Sequence, residues 1–424
     1  MPMKLHWQIA IALALAVVAG LTLGEAPWFL KASSFVGTIF LNALKMLIVP
    51  LIVAAIICGL AGVGDGRTLG RLGLRTLGFY IGTGLLAILG GLAMINWIEP
   101  GIIDRAPAGE RLGLSADTGQ VLASVQGKGS GDLVAVLQRL VPSNPIAAAA
   151  DGDMLGLVTF ALLFSWALAQ LPEALRRTQQ DFWQGVYQAM IRLADLVMRF
   201  APLGVFALVS AVVAKTGLAA VQPLALFFLA VVLGLLVHAT VTLPLVLLLV
   251  ARVSPLAHFR AVAPALLTAF STSSSAATLP LTLSCLRERA GVSPRVTGFV
   301  LPIGANVNTD GTALYECAAA LFIAQAYGLE LNFATQFTVV LMALLTSIGV
   351  AGIPSASLVA IALILTAIGL PLEGVGLILA VDRVLDMCRT TVNVLGDTAA
   401  AVTVARLEGE VVLQRANAGS WERL

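Results

Sequence analysis

Charge is what this sequence has least of: Asp, Glu, Lys and Arg make up 11% of its 424 residues, while 59% are hydrophobic. A soluble protein of this length carries about a quarter charged residues, so that class is excluded. The chain reads instead as an all-α polytopic membrane protein. Net charge is +2 with no run of Lys or Arg, which removes a nucleic-acid partner. Cysteine is scarce as well. Cys58, Cys285, Cys317 and Cys388 lie scattered in apolar stretches, with no pair spacing for a metal and no disulfide framework. They read as small packing residues, and no cofactor is implied.

Apolar length is what the sequence has in quantity. Segments near 6–24, 36–63, 72–97, 152–171, 185–213, 223–250, 296–327 and 375–405 are each long enough to cross a bilayer, giving eight predicted transmembrane helices. The first of them competes with a signal peptide, but it is long enough to span and has no small-residue cleavage site before the polar turn. It is therefore taken as the first helix. The Gly-rich stretch 100–132 reads as a surface loop, and 134–150, with its Pro-Ser-Asn-Pro break, as short helical pieces. Arginine is unevenly shared between the two sides. Arg67, Arg71, Arg75, Arg176, Arg177, Arg252, Arg260, Arg287, Arg289, Arg295 and Arg406 flank one set of turns and the chain ends, against Lys31, Arg105, Arg111, Lys128 and Lys215 opposite. By the positive-inside rule both termini are cytoplasmic, in an inner or plasma membrane.

Two apolar segments are too short to span. Residues 261–270 supply about 15 Å of helix, half a bilayer, before Ser271-Thr272-Ser273-Ser274-Ser275 and an apolar return to Arg287 and Arg289. With cations at both ends this is a re-entrant hairpin with a hydroxyl-rich tip. Residues 337–349, the break at 350–357 and residues 358–370 repeat the pattern from the opposite side. Each hairpin precedes a span carrying charge, so hairpin plus helix forms an inverted repeat. Repeats of this kind build a site at the bilayer midplane from broken helices.

The second charged span holds VDRVLDMCRTTVNVLGD, residues 381–397, with Asp382, Arg383, Asp386, Arg389 and Asp397. Five charges cost roughly 15 kcal/mol at mid-bilayer, and the surrounding Val, Leu and Ile return only about 5. This helix cannot face lipid. At 100° per residue Asp382, Asp386, Arg389, Asn393 and Asp397 share an arc of roughly 80°, a single polar stripe. Arg389 has two readings, a salt bridge to Asp386 or Asp382 that neutralises the helix, or a bidentate clamp on a substrate carboxylate, and its place on the stripe favours the clamp. Arg383, at the stripe's edge, reads as structural or gating.

The other charged span mixes breakers and polar groups in PIGANVNTDGT, 302–312. Freed carbonyls beside Asn306, Asn308 and Asp310 are the oxygen ligands that hard cations prefer; a kinked packing helix is the plainer reading. The serine tip fits close helix packing, recognition of a carboxylate, or a nucleophile. None of His6, His238 and His258 is expected in the core containing the two hairpins, which speaks against catalysis. Glu316 is an intramembrane carboxyl without a fixed cation and is the candidate proton carrier; a permanently protonated, hydrogen-bonded acid is its plainer reading.

Several of these motifs together resemble the dicarboxylate/amino acid:cation symporters, the family of archaeal aspartate transporters and animal excitatory amino acid transporters. SSSAATLP is similar to the family's serine-rich tip, NTDGTALYE to its NMDGT motif, AGIPSAS to its second hairpin and DRVLDMCRTTVNVLGD to its final helix. The resemblance covers nearly the whole chain. It implies a homotrimer of elevator type, with residues 1–71 and 100–217 supplying scaffold helices one, two, four and five. Residues 72–99 and 218–408 would supply the transport domain, namely helices three and six, both hairpins and the last two helices; 409–424 would be a cytoplasmic tail.

Roles also follow from the resemblance. Arg389 would hold the substrate's side-chain carboxylate with Thr312, and Asp386 its amino group. Asn393, Thr390, Ser274 and Ser275 would hold the α-carboxylate, with Ile353 and Pro354 of the second hairpin closing the substrate site. One sodium ion would use Asp397 with carbonyls at Gly304, Asn308 and Asn393; a deeper one would use Tyr80, Thr83, Asn308 and Asp310. A third would rest on backbone at Thr309 and at 347–349, from Ser347 to Gly349. The chain departs from the pattern at Thr309 (methionine in the motif), at Gly84 (a hydroxyl expected), in lacking a second arginine at Ser273 or Met387, and at Ser355 and Ser357, where glycines are common. Glu316 matches the animal members, whose glutamate is linked to proton coupling. The expected function is symport of L-glutamate or L-aspartate with sodium, protons or both. A neutral amino acid or C4-dicarboxylate symporter of the same fold stays as the near alternative, and an ion channel as the distant one.

Overall fold

The computed structural model describes residues 5–61, 67–109, 111–112, 114, 141–151, 154–216, 219–329, 332–347, 357–371 and 373–413. Helices α1 (Leu5–Leu23), α2 (Pro27–Ala61) and α3 (Arg67–Ile98) open the chain. A two-residue antiparallel ladder, β1 (Ile102–Ile103) with β2 (Ala106–Pro107), follows, turned by Asp104 and Arg105 at positive φ. Then come α4 (Pro145–Asp151), α5 (Met154–Ala169), α6 (Glu173–Arg199) and α7 (Ala201–Thr216). The predicted fifth span at 185–213 is thus two helices. Proline at 202 has no N–H to donate, so the ladder of α6 stops at Phe200, whose N–H bonds the Val197 carbonyl, and α7 starts afresh.

The sixth span, α8, runs from Val221 to Ala251 through two π-helical turns, His238–Thr242 and Leu247–Ala251, and ends where Arg252 turns left-handed. With 31 residues and mean hydropathy 2.6 it is long and apolar enough to span, as is Arg71–Ile98 with 28 and 1.8. Side chains such as Leu74, Trp97, Leu163, Trp166, Leu249 and Leu267 stand exposed on the outside, a surface suited to lipid rather than water.

Two helix pairs cover the segments too short to span. α9 (Pro255–Thr272) and α10 (Ser275–Ser284) pack on each other and meet at Ser273 and Ser274, and α13 (Phe333–Ser347) and α14 (Ser357–Ala367) also pack together. The tip of the second pair, with Gly349, Ile353, Pro354 and Ser355, lies outside the described residues. Between the pairs α11 (Pro294–Val307) breaks at Asn308 and Thr309 before α12 (Asp310–Ala326), and α15 (Glu373–Leu407) closes the order. α12 is buried at every position. It is the axis of the molecule, with α3, α8, α13, α14 and α15 around it, whereas α1 packs on α7 and α2 on α5, α6 and α7.

Candidate functional site

The charge of α15 is turned inward. Arg389 is fully buried, and its Nη2 donates both to Asp382 Oδ1 at 3.0 Å and to Asp386 Oδ1 at 2.9 Å. Its Cζ stands 3.8 Å from the centre of the Tyr315 ring, a cation–π contact from α12. Nε and Nη1 have no acceptor among the described residues. A buried donor left unpaired costs about 1–3 kcal/mol, more on a charged group, so an anion reaching these donors would be bound strongly. The salt bridge to Asp382 and Asp386 is thus present at one nitrogen, and Nε and Nη1 stay without a partner among the described residues. Arg383 Nη1 lies 3.5 Å from Asp386 Oδ2, and Asp382 is buried as the partner of Arg389 that the salt-bridge reading named.

Asn393, one turn on, ties the two charged helices together. Its Oδ1 accepts from the N–H of Gly311 at 2.8 Å and of Thr312 at 3.4 Å, and its Nδ2 donates to Thr312 Oγ1 at 3.1 Å. These are first-turn donors of α12 that have no partner within their own helix. Only glycine fits at 311, since a Cβ there would stand 2.8 Å from the Arg389 carbonyl oxygen. Thr390 is buried beside these groups in sequence.

A second polar cluster lies at the break. Asp397 Oδ1 accepts from Asn308 Nδ2 at 2.9 Å, and Thr83 Oγ1 donates to Asp310 Oδ1 at 3.4 Å. The Tyr80 hydroxyl donates to the Val300 carbonyl at 3.0 Å, and a Cβ on Gly304 would fall on Asp397 Oδ1 and the Tyr80 oxygen. Asn308 Oδ1 is buried with no donor among the described residues. A cavity of about 310 Å³ borders Tyr80, Asn308, Thr309 and Asp310 and is otherwise walled by apolar side chains such as Leu344 and Leu345. Carboxylate, amide, hydroxyl and main-chain oxygens at a helix break are a donor set for a hard cation.

The expectation that no histidine lies in this core is overturned. His238 is buried with Nε2 at 3.2 Å from Asp310 Oδ2, and His258, on α9, has Nε2 at 3.1 Å from Thr398 Oγ1 of α15. Their helices look apolar from outside, but both pack directly on the charged helices, so a polar side chain on the inner face meets polar partners. At the serine tip, Ser273 adopts φ 52° and its hydroxyl is buried with no partner among the described residues. Ser274 Oγ accepts from the Ala277 N–H and so caps α10, while Ser275 is the buried first residue of that helix, which packs on α15.

Break and stripe thus meet through Asn393 and Asp397, and the serine tip begins a helix that packs on α15. A family model described as the sodium:dicarboxylate symporter family matches residues 5–407. The chain belongs to the sodium:dicarboxylate symporter family. Relatives in or near this family include the proton/glutamate-aspartate symporter of Escherichia coli K12, 34% identical over 99% of this chain and 96% of that protein. The proton/sodium-glutamate symport protein of Bacillus subtilis 168 is 34% identical over 95% of this chain and 92% of that one. Human excitatory amino acid transporter 2 is 35% identical over 88% and 73%. A member of this symporter family is a membrane transporter, and the matched stretch runs through the end of α15.

Within the symporter fold, residues missed by sequence reading are His238, Tyr315 and Thr346. His238 was detectable as an ionisable side chain inside a span, which is a functional hypothesis by default. Thr346, in the last turn of α13, donates to Glu316 Oε2 at 2.7 Å, and Glu316 is fully buried. No local pattern joins that pair, since 30 residues separate them.

Proposed function

We propose that the chain is a secondary active transporter that carries L-glutamate or L-aspartate together with sodium ions, protons or both. The observation that carries this reading is the Arg389 guanidinium, fully buried, held at one nitrogen by Asp382 and Asp386, with Nε and Nη1 unpaired among the described residues. A substrate side-chain carboxylate would take those donors, Thr312 would assist, and Asp386 would meet the amino group. An amino acid with a second carboxylate would use both members of that pair; a neutral amino acid would leave Arg389 Nε and Nη1 without an acceptor, and a dicarboxylate would bring no amino group to the carboxylate of Asp386. The names of the relatives, glutamate and aspartate symporters among them, agree with this choice.

The remaining roles extend the same reading. Asn393, Thr390, Ser274 and Ser275 would line the α-carboxylate end. Coupling cations would use Asp397 with Gly304, Asn308 and Asn393, and Tyr80 and Thr83 with Asn308 and Asp310. Glu316 would carry the proton. The scaffold would be α1, α2 and α5–α7, and the moving body α3 and α8–α15, a division supported by which helices pack on which. The two helix pairs would enter the bilayer from opposite sides as re-entrant hairpins, completing eight spans. Three copies would assemble in the plasma membrane with both termini in the cytoplasm, as the arginine distribution indicates.

The test is substrate selectivity. Arg389→Cys is expected to lose uptake of aspartate and glutamate by at least about a hundredfold, the scale of about 3 kcal/mol for a charged hydrogen-bonded pair, and to gain uptake of serine or alanine. Undiminished aspartate uptake by this variant would overturn the assignment. Competition by aspartate, serine and succinate against labelled substrate separates the acidic reading from the neutral and dicarboxylate ones.

A further inference from the structure

We propose that Thr346 is the positioning residue that keeps Glu316 poised to exchange a proton, by supplying a hydrogen-bond partner to that carboxyl group in both of its protonation states. The inference rests on the reading of Glu316 as proton carrier. Thr346 Oγ1 lies 2.7 Å from Glu316 Oε2, and also 2.8 Å from the Met342 carbonyl and 3.2 Å from that of Ala343. Glu316 Oε1 is buried with no partner among the described residues, and both side chains are fully buried. The threonine is therefore the one hydroxyl that answers for the state of this acid among the described residues.

A hydroxyl has one proton to donate and two lone pairs to accept with. When Glu316 is ionised, Thr346 O–H donates to Oε2. When Glu316 is protonated, its own O–H donates to Thr346 Oγ1, and the threonine turns its proton to the Met342 carbonyl one helical turn back. The proton released in passing from the second arrangement to the first goes to water. Neither state leaves the threonine unpaired, and β-branching holds Oγ1 in place while only its hydrogen rotates.

The surroundings leave this role to Thr346. α13 and α14, which pack on α12, carry no titratable side chain among their described residues. From α15 the acting charge is Arg389, and on α12 itself the neighbour is Cys317. In the core, α3 and α8 offer Tyr80 and His238, but these are committed to the Val300 carbonyl and to Asp310.

The direction of the effect follows from relative bond strengths. A hydrogen bond to a carboxylate is roughly twice as strong as one between neutral groups, so losing the hydroxyl harms the ionised acid more. The experiment is initial-rate aspartate uptake by purified full-length protein in proteoliposomes, over a series of external pH, for Thr346→Val, Thr346→Ala, Thr346→Ser and Glu316→Gln. Thr346→Val and Thr346→Ala are expected to move the midpoint of the pH profile upward by about one unit, while Thr346→Ser keeps the original midpoint. In the Glu316→Gln background Thr346→Val should leave the profile unchanged. A Glu316→Gln profile that is altered while both hydroxyl-less variants keep the original midpoint overturns the role of Thr346 alone. An unaltered Glu316→Gln profile overturns the assignment of Glu316 beneath it. If the valine variant is lost to misfolding, the alanine variant carries the same comparison.

Discussion

In the proposed reading, Arg389 is the position of the buried stripe that selects the substrate. Its guanidinium offers five N–H donors, and the two acids of its own helix engage only Nη2. A lysine in that place would present a single point of charge and lose the planar fork. Gly311 is a second residue whose identity is forced. A Cβ there would stand 2.8 Å from the Arg389 carbonyl oxygen and 3.1 Å from its Cα, so α12 and α15 would have to part. Gly311→Ala is expected to cost about 1–3 kcal/mol of stability, the usual range for overpacking, and to abolish aspartate uptake. Thermal unfolding of the purified protein reads the first, and vesicle uptake the second. The stripe itself was legible in the sequence, because five charges in an apolar segment have only one economical orientation. The division of Arg389 into a neutralised nitrogen and free donors was not, since it depends on which rotamers Asp382 and Asp386 adopt.

At the scale of elements, breaks carry the function. The interruption of the seventh span was legible from PIGANVNTDGT, and the helix does leave regular geometry at Asn308 and Thr309. The interruption at Phe200 is not legible, because apolar residues continue past Pro202 and only the missing N–H ends the ladder. Polar contacts between distant elements were equally hidden: Glu408, just past α15, takes Arg71 at 3.2 Å, Arg75 at 2.6 Å and Arg295 at 3.4 Å. In the sequence those arginines mark only the side expected to be cytoplasmic. They also bind α3 and α11 to the end of α15, while Glu410 accepts from the N–H and hydroxyl of Ser293 at the start of α11. Glu408→Ala should lower stability by about 1 kcal/mol, and by less at high salt, because Arg71 and Arg295 are more than half exposed. Chemical or thermal unfolding at two ionic strengths checks this.

For the whole molecule, the first two turns of the buried axis α12 carry Asp310, Thr312, Tyr315 and Glu316, the residues proposed for cation, substrate and proton. In that reading substrate and coupling ion would bear on the same helix, and a change at one site would be passed to the other through fully packed structure. A channel needs no such linkage; a symporter depends on it. The departures at Thr309 and Gly84 would fall at the proposed cation sites, which makes the identity of the coupling ion the property to measure. The measurement that bears most directly on the central claim is aspartate uptake into proteoliposomes under separately imposed sodium and pH gradients. Accumulation above the external concentration, driven by at least one of the two gradients and abolished when both are collapsed, is the predicted result, with any proton-driven part lost in Glu316→Gln. Uptake that never exceeds equilibration under either gradient, or steady ion current without substrate, would contradict it.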